Sequence, residues 1–504
     1  MNKILRYLII IGSVLFILTF IIMSIIRMNY PYELEWMEGG SVEHTQRILN
    51  GDGIYIEPGI EFIPYIYTPL YYYVSALFCG IFGVGLFPLR LVSTLSALAA
   101  GLFIFLLVKK ETDDFFSSLL STGLFFSFYV IGGAWYDLAR VDSLFILLFI
   151  ISIYFLRQKK NNWYYILAAI FAFLSYFTKQ STLLFAIFVL IYLFLYEKKG
   201  FWIFSIIFIG LVLISTIVYN ISTSGWYYFW NYELPAAHRW NFEFTILFFT
   251  RDIFEHTGIA VAFAFFYFFI NFRNQKRILS IENSTNVFYL FVCIGMFAGS
   301  YFSRLHYGGF LNVIIPAYTI LSILTGLSYK KIKDFIESEQ SIEVQNLKNN
   351  YFFTFLNLII IAQFLAVVYD PGLQLPSGKD YIAGNNFIQT VKNQKGDVLI
   401  PGNTFTYYTL AGKKNFAHIE LVNDLYEHNE QYGQKVMNQL KEHLEKHHFS
   451  AIFVNKLFIE HFPFFKKYYD LKGELFNDES SFKTKTGHIT RPEWIYVPKI
   501  ANEK

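Results

Sequence analysis

Long apolar runs alternate with short charged breaks from residue 4 to residue 369, and that alternation predicts the architecture. Each run is long enough to cross a hydrocarbon core of roughly 30 Å. In lipid the backbone must satisfy its own hydrogen bonds, so the runs are expected to be helices. Eleven crossings are predicted, at about 4–27, 88–108, 115–133, 142–157, 162–177, 181–196, 201–219, 257–272, 285–302, 309–328 and 351–369. The first is too long for a signal-peptide core and lacks a small-residue cleavage site, so it reads as a retained span. From residue 370 the pattern changes. Asp397-Val398-Leu399-Ile400-Pro401, Ser450-Ala451-Ile452-Phe453-Val454 and Trp494-Ile495-Tyr496-Val497 read as short strands, and 431–447 has helical spacing through Val436, Leu440 and Leu444. The expected fold is an all-α polytopic membrane domain over 1–369 with a small soluble α/β domain over 370–504. The size of that tail is ordinary for a domain.

Basic residues orient the spans. Sixteen lie in clusters: Lys3/Arg6, Lys109/Lys110, Arg157/Lys159/Lys160, Lys198/Lys199, Arg273/Lys276/Arg277 and Lys330/Lys331/Lys333 with Lys348. With the N-terminus in the cytoplasm, all sixteen fall inside and only isolated bases fall outside, which is the positive-inside signature. The C-terminal domain is then extracytoplasmic. Residues 69–87 are apolar too, but a crossing there would move every later cluster to the other side. They are therefore expected to lie in or dip into the outer leaflet, within a first outer loop over 28–87. No internal repeat is visible. Composition adds that the chain is 55% hydrophobic and 20% aromatic, with a net charge of +3 that carries no nucleic-acid signal. Cys79 and Cys293 sit in apolar surroundings, so neither a disulfide framework nor a cysteine metal site is indicated.

The first outer loop holds the candidate chemistry. Between Met28 and Thr68 there are seven acids (Glu33, Glu35, Glu38, Glu43, Asp52, Glu57, Glu61) against one base, Arg47. Polar groups also gather at other outer helix ends, in Tyr136-Asp137-Leu138-Ala139-Arg140-Val141-Asp142, Thr178-Lys179-Gln180, 220–244 and Ser303-Arg304-Leu305-His306. Ionisable groups at membrane depth are costly and so are candidates for function. Taken singly, each has a bland reading as a lipid-phosphate anchor or a snorkelling lysine. Their collection on one face, opposite the basic clusters, favours a site.

Glu35-Trp36-Met37-Glu38-Gly39, then Arg47-Ile48-Leu49-Asn50-Gly51-Asp52-Gly53-Ile54-Tyr55, then Tyr67-Thr68-Pro69-Leu70-Tyr71-Tyr72 resemble the first outer loop of GT-C membrane glycosyltransferases. The nearest branch is the bacterial, glycosyltransferase family 39-like set similar to protein O-mannosyltransferases and aminoarabinose–lipid A transferases. Arg140-Val141-Asp142 resembles that family's Arg/Asp element in the second outer loop, and Thr178-Lys179 its "TK" turn. Two departures stand out. Met37-Glu38 occupies the place of an Asp-Glu pair, so Glu38 or Glu35 must serve as the acid. Tyr67-Thr68-Pro69-Leu70 lacks the lysine of the family's Lys-Pro-Pro-Leu.

The resemblance implies transfer of a sugar from a polyprenyl-phosphate donor to a hydroxyl of a glycan, lipid or protein acceptor, with inversion, at the outer face of a bacterial cytoplasmic membrane. A carboxylate takes the hydroxyl proton; Glu38 and Glu35 are the candidates and would share a face if the stretch were helical. The departing lipid phosphate needs cations, preferably a bidentate guanidinium. Arg140, Lys179 and Arg304 are the candidates, with His306 as a donor. Asp142 could orient the base, hold Arg140, or bind a divalent ion, although no His-rich ligand spacing is seen. A transporter or flippase of lipid-linked sugars is the alternative. It predicts ionisable residues at helix midpoints and two related halves with broken helices, and neither is visible.

Overall fold

The computed structural model describes residues 2–158, 161–273, 275, 277–338, 343–402 and 405–499. Lys159, Lys160 and Lys276, members of two basic clusters, lie outside the described residues. Helices occupy each predicted apolar run: Asn2–Met28, Leu86–Thr112, Phe115–Ser127, Asp142–Leu156, Asn162–Tyr176, Thr182–Tyr196, Lys198–Ser222, Glu255–Phe272, Ser284–Leu305, Ile315–Ser338 and Glu343–Ala366. Six stretches of the described chain are helical, long and apolar enough to cross a membrane unaided, and up to seven if the bent pair beginning at Tyr351 counts as one. Four others of the eleven are only 13–15 residues long.

Small residues let the helices approach closely, which is how helices pack when lipid removes the hydrophobic drive. A Cβ at Gly123 would collide with Ser13, so helix 115–127 lies directly against the first helix. One at Gly326 would collide with Ser121 and with the Ser117 carbonyl, which fixes the other neighbour of that helix.

Contacts gather the basic clusters at one end of the bundle. Arg6 stacks over Phe116, Arg157 bonds both Glu111 and Thr285, Arg273 lies over Phe335, and Thr354 bonds Asn2. The acidic loop sits at the other end. Arg90, near the start of helix 86–112, donates to the carbonyls of Arg27, Tyr30 and Tyr32. The first helix therefore ends where helix 86–112 begins, and residues 28–85 leave and rejoin the bundle at the same end. Helix Leu70–Phe82 lies within this excursion and has 13 residues, about 20 Å at ~1.5 Å per residue.

The C-terminal region carries a four-stranded sheet, β1 (Val398–Leu399), β2 (Ala451–Val454), β3 (Tyr469–Glu474) and β4 (Trp494–Pro498), in the order β1-β2-β4-β3. β1 and β2 are parallel, Val398 opposite Ala451, and helices including Ile419–His428 and Glu430–Glu445 make the crossover that a parallel pair needs. β2 is wholly buried, whereas β3 is an edge strand with exposed Asp470, Leu471 and Lys472. Such a strand lacks the apolar run of a core strand, so the pattern of residues did not announce it.

The region rests on the first loop. Asn415 donates to Glu43 at 2.6 Å, Lys414 pairs with Glu61 at 2.6 Å, Lys435 pairs with Glu57, and Ala417 N–H donates to the Ile60 carbonyl. Much of the loop's acidity is thus spent on docking.

Candidate active site

Trp36 and Met37 form a turn closed by the Glu38 N–H on the Glu35 carbonyl, and helix Glu38–Asn50 opens immediately after it. Glu38 begins the helix and Glu35 precedes it, so the two carboxylates do not share a helical face. Their surroundings differ sharply.

Glu38 is fully buried and both its oxygens are committed. Oε1 accepts from Arg90 Nε (2.8 Å) and Ala139 N–H (2.9 Å). Oε2 accepts from Arg90 Nη2 (2.6 Å), Leu34 N–H (2.7 Å) and Glu35 N–H (3.3 Å). Burial alone would raise its pKa, but Arg90 and these bonds hold it below the usual carboxylate value. A carboxylate so bound is a fixed anion that staples the loop to helix 86–112 and to the second outer loop.

Glu35 is equally buried and much less committed. Oε2 accepts from Met37 N–H at 3.1 Å and faces Arg140 Nη1 at 3.5 Å, while Oε1 has no hydrogen-bond partner. Burial pushes its pKa up to about 7; Arg140 opposes the rise and Glu38 adds to it. A general base works best with a pKa near the working pH.

Arg140 makes only long contacts, to Glu35 and to the Tyr67 hydroxyl at 3.3 Å, with its guanidinium 5.7 Å from the Tyr67 ring centre. Burial would lower its pKa, but Glu35 and neighbouring groups raise it, so it stays charged. Lys179 also lies over Tyr67, its Nζ 5.8 Å from the ring centre and 2.6 Å from Asp142 Oδ1. Asn312 also donates to that oxygen at 3.1 Å, and the buried Oδ2 of Asp142 has no partner. Glu35, Arg140, Tyr67, Lys179 and Asp142 therefore form one connected polar cluster.

Arg304 and His306 are placed elsewhere. Arg304 donates to Asp252 at 2.8 Å and to the Gly309 carbonyl. Both His306 nitrogens face carbonyls, Pro235 at 2.8 Å and Tyr307 at 3.0 Å. Arg27 is likewise consumed, by Asp137 at 2.7 Å and by the carbonyls of Ala134 and Gln374. Of Arg27, Arg90, Arg140 and Arg304, Arg140 alone lacks a hydrogen bond shorter than 3.3 Å.

The tail closes over this cluster. Lys485 and Thr486 N–H groups donate to the Leu34 carbonyl at 2.8 and 3.0 Å, and Gly487 lies so close to Trp36 that a Cβ there would collide with the indole. His418, His488 and Phe310 ring the same indole at 5.1–5.8 Å. The expectation for the site included neither this wall nor Tyr67 as a bridge. Both depend on contacts between distant segments and leave no local spacing to read. A His238–Asp424–His428 cluster was also missed, although Asp424 and His428 stand four apart in the sequence.

Residues 67–220 match the family described as dolichyl-phosphate-mannose-protein mannosyltransferase. No curated protein matches the chain. Among solved structures the chain is similar to ArnT from Cupriavidus metallidurans bound to undecaprenyl phosphate, with 10% identity, a TM-score of 0.56, and coverage of 97% of this chain and 98% of that one. It is also similar to the archaeal oligosaccharyltransferase AglB from Archaeoglobus fulgidus, in complex with an inhibitory peptide and a dolichol-phosphate. There the identity is 11% and the TM-score 0.52, over 90% of this chain and 72% of that one. At such identities the likeness is one of fold. The family match and the shared fold together support a GT-C family membrane glycosyltransferase.

Proposed function

We propose that the protein transfers a sugar from a polyprenyl-phosphate donor to an acceptor hydroxyl at the outer membrane face, with inversion, and that Glu35 is the general base. The observation that carries this reading is the buried Glu35 carboxyl, with one oxygen unpartnered, beside the loosely held Arg140 guanidinium. Glu35 removes the proton of the attacking hydroxyl as the bond between the anomeric carbon and the donor phosphate breaks. Arg140 and Lys179, both within 6 Å of the Tyr67 ring centre, receive the charge that grows on the departing lipid phosphate. Asp142 holds Lys179 in place, and Glu38 with Arg90 sets the turn that presents Glu35. Similar folds that hold undecaprenyl phosphate and dolichol-phosphate support the class of donor.

Mass spectrometry of envelope glycans and glycolipids tests the reading, comparing cells that lack the gene with cells complemented by wild type or Glu35→Gln. One glycoform should vanish without the gene, return with wild type, and stay absent with Glu35→Gln. Restoration by Glu35→Gln would remove Glu35 from the chemistry.

A further inference from the structure

His238 follows the short helix Leu234–Ala237 in the long outer loop, and Asp424 and His428 lie one turn apart on helix Ile419–His428 of the C-terminal region. The three side chains converge, each presenting one ligand-type atom within 4.8 Å of the others. His238 Nε2 stands 3.1 Å from Asp424 Oδ1, and His428 Nδ1 stands 3.2 Å from the same oxygen. Neither approach is aligned as a hydrogen bond, for Asp424 Oδ1 and both ring nitrogens of His238 are buried and unpartnered. His238 is only 5% exposed. Burying such groups without aligned hydrogen bonds is costly, and a shared cation removes the cost.

The ring of His428 fits that use. Its Nδ1 is 2.9 Å from the Asp424 carbonyl, and a proton donated there leaves a lone pair on the buried, unpartnered Nε2. Metal-bound histidines are oriented in this way by the bond that the second nitrogen makes. Two imidazoles and one carboxylate suit zinc and its neighbours, and are a poor set for magnesium or calcium, which take oxygen. Glu35, Arg140 and Lys179 are not among these ligands, so the cluster is separate from the proposed transfer site.

We infer that His238, Asp424 and His428 form a binding site for a zinc-class divalent cation that bolts the outer loop at 220–244 to the C-terminal domain. Two ligands come from one helix and the third from a loop of the membrane domain, so a bound ion ties the two together.

The test uses the full-length chain without an affinity tag, purified in detergent, stripped with a chelator and titrated with Zn²⁺. Elemental analysis should find one zinc per chain, and zinc should raise the melting temperature. His238→Ala and the isosteric Asp424→Asn should each weaken binding by more than the roughly 10–100-fold typical of losing a supporting residue, and should abolish the melting shift. Zinc should also slow tryptic cleavage after the exposed Arg239 in wild type only. Because the variants could misfold, the unaltered protein loaded with Co²⁺ provides a second reading: histidine-ligated cobalt gives visible ligand-field absorption that excess Zn²⁺ removes. Equal zinc binding in wild type and His238→Ala, displacement by Mg²⁺ or Ca²⁺ at equal concentration, or a colourless cobalt form would overturn the inference.

Discussion

Replacing Glu35 with glutamine should separate activity from stability, because the structure makes this carboxyl costly to keep ionised. The change preserves size and removes the proton acceptor. Loss of a general base commonly slows turnover by about 10²–10⁴-fold, which is about 3–5 kcal/mol of barrier at ~1.4 kcal/mol per decade. Stability should move the other way. Burial raises the Glu35 pKa from 4.5 to about 7. Below the unfolded value both states hold the proton and the group is indifferent to pH. Between the two values only the folded state holds it, so stability falls as pH rises through that window. Above about 7 the whole penalty is present, of order 3 kcal/mol at ~1.4 kcal/mol per unit. Glu35→Gln should therefore melt at a higher temperature than wild type at pH 8 and differ little at pH 4.5.

The assay is transfer by purified protein in nanodiscs across pH 6–8, with melting followed on the same samples. Wild-type turnover should rise through about pH 7 as Glu35 loses its proton. A flat profile across that range, or substantial turnover by Glu35→Gln, would refute the assignment. A variant that is both inactive and less stable at pH 8 would show that Glu35 is a structural anion.

Other perturbations follow from the same contacts. Glu38→Gln leaves the buried Arg90 guanidinium without its anion, which typically costs 3–5 kcal/mol, so immunoblots should show loss of protein in the membrane; normal abundance with no transfer would return the base role to Glu38. Arg140→Lys keeps charge but loses the planar fork, so it should weaken use of the lipid-phosphate donor more than it lowers protein level, read as donor dependence in nanodiscs. Asp142→Asn should loosen Lys179 and impair the donor step as well, and full activity in both variants would leave the pair as scaffold. With Cys79 and Cys293 replaced, cysteines at Lys110 and Lys199 should resist an impermeant thiol reagent in intact cells while one at the exposed Lys472 reacts; labelling at Lys199 would invert the proposed orientation.

Periodicity and charge made the membrane domain legible. Helices stand at each of the eleven apolar runs, because a run of Leu, Ile and Phe in lipid has no other way to satisfy its backbone. The candidate site was legible as a set of residues and not as an arrangement. Glu35, Glu38, Arg140, Asp142 and Lys179 do gather at one end of the bundle, but nothing in the local spacing separates the two glutamates. That distinction lies in Arg90, more than fifty residues away, which saturates one carboxylate and ignores the other. The same holds for Arg304, whose partner Asp252 comes from a separate helix.

Three buried arginines thereby acquire different tasks from near-identical chemistry. Arg27 and Arg90 spend their donors on Asp137, Glu38 and backbone carbonyls, which locks the first loop onto the bundle. That rigidity is what allows Arg140 to remain loosely paired, since the neighbouring turns are already held without it. A guanidinium left under-bonded in a fixed frame can take a phosphate without reorganising its surroundings, and reorganisation is where most of the electrostatic gain is otherwise lost. The C-terminal region extends the same logic. By bonding Leu34 and packing on Trp36 it fixes the residue on each side of Glu35, so the orientation of the proposed base depends on a segment more than four hundred residues further along the chain.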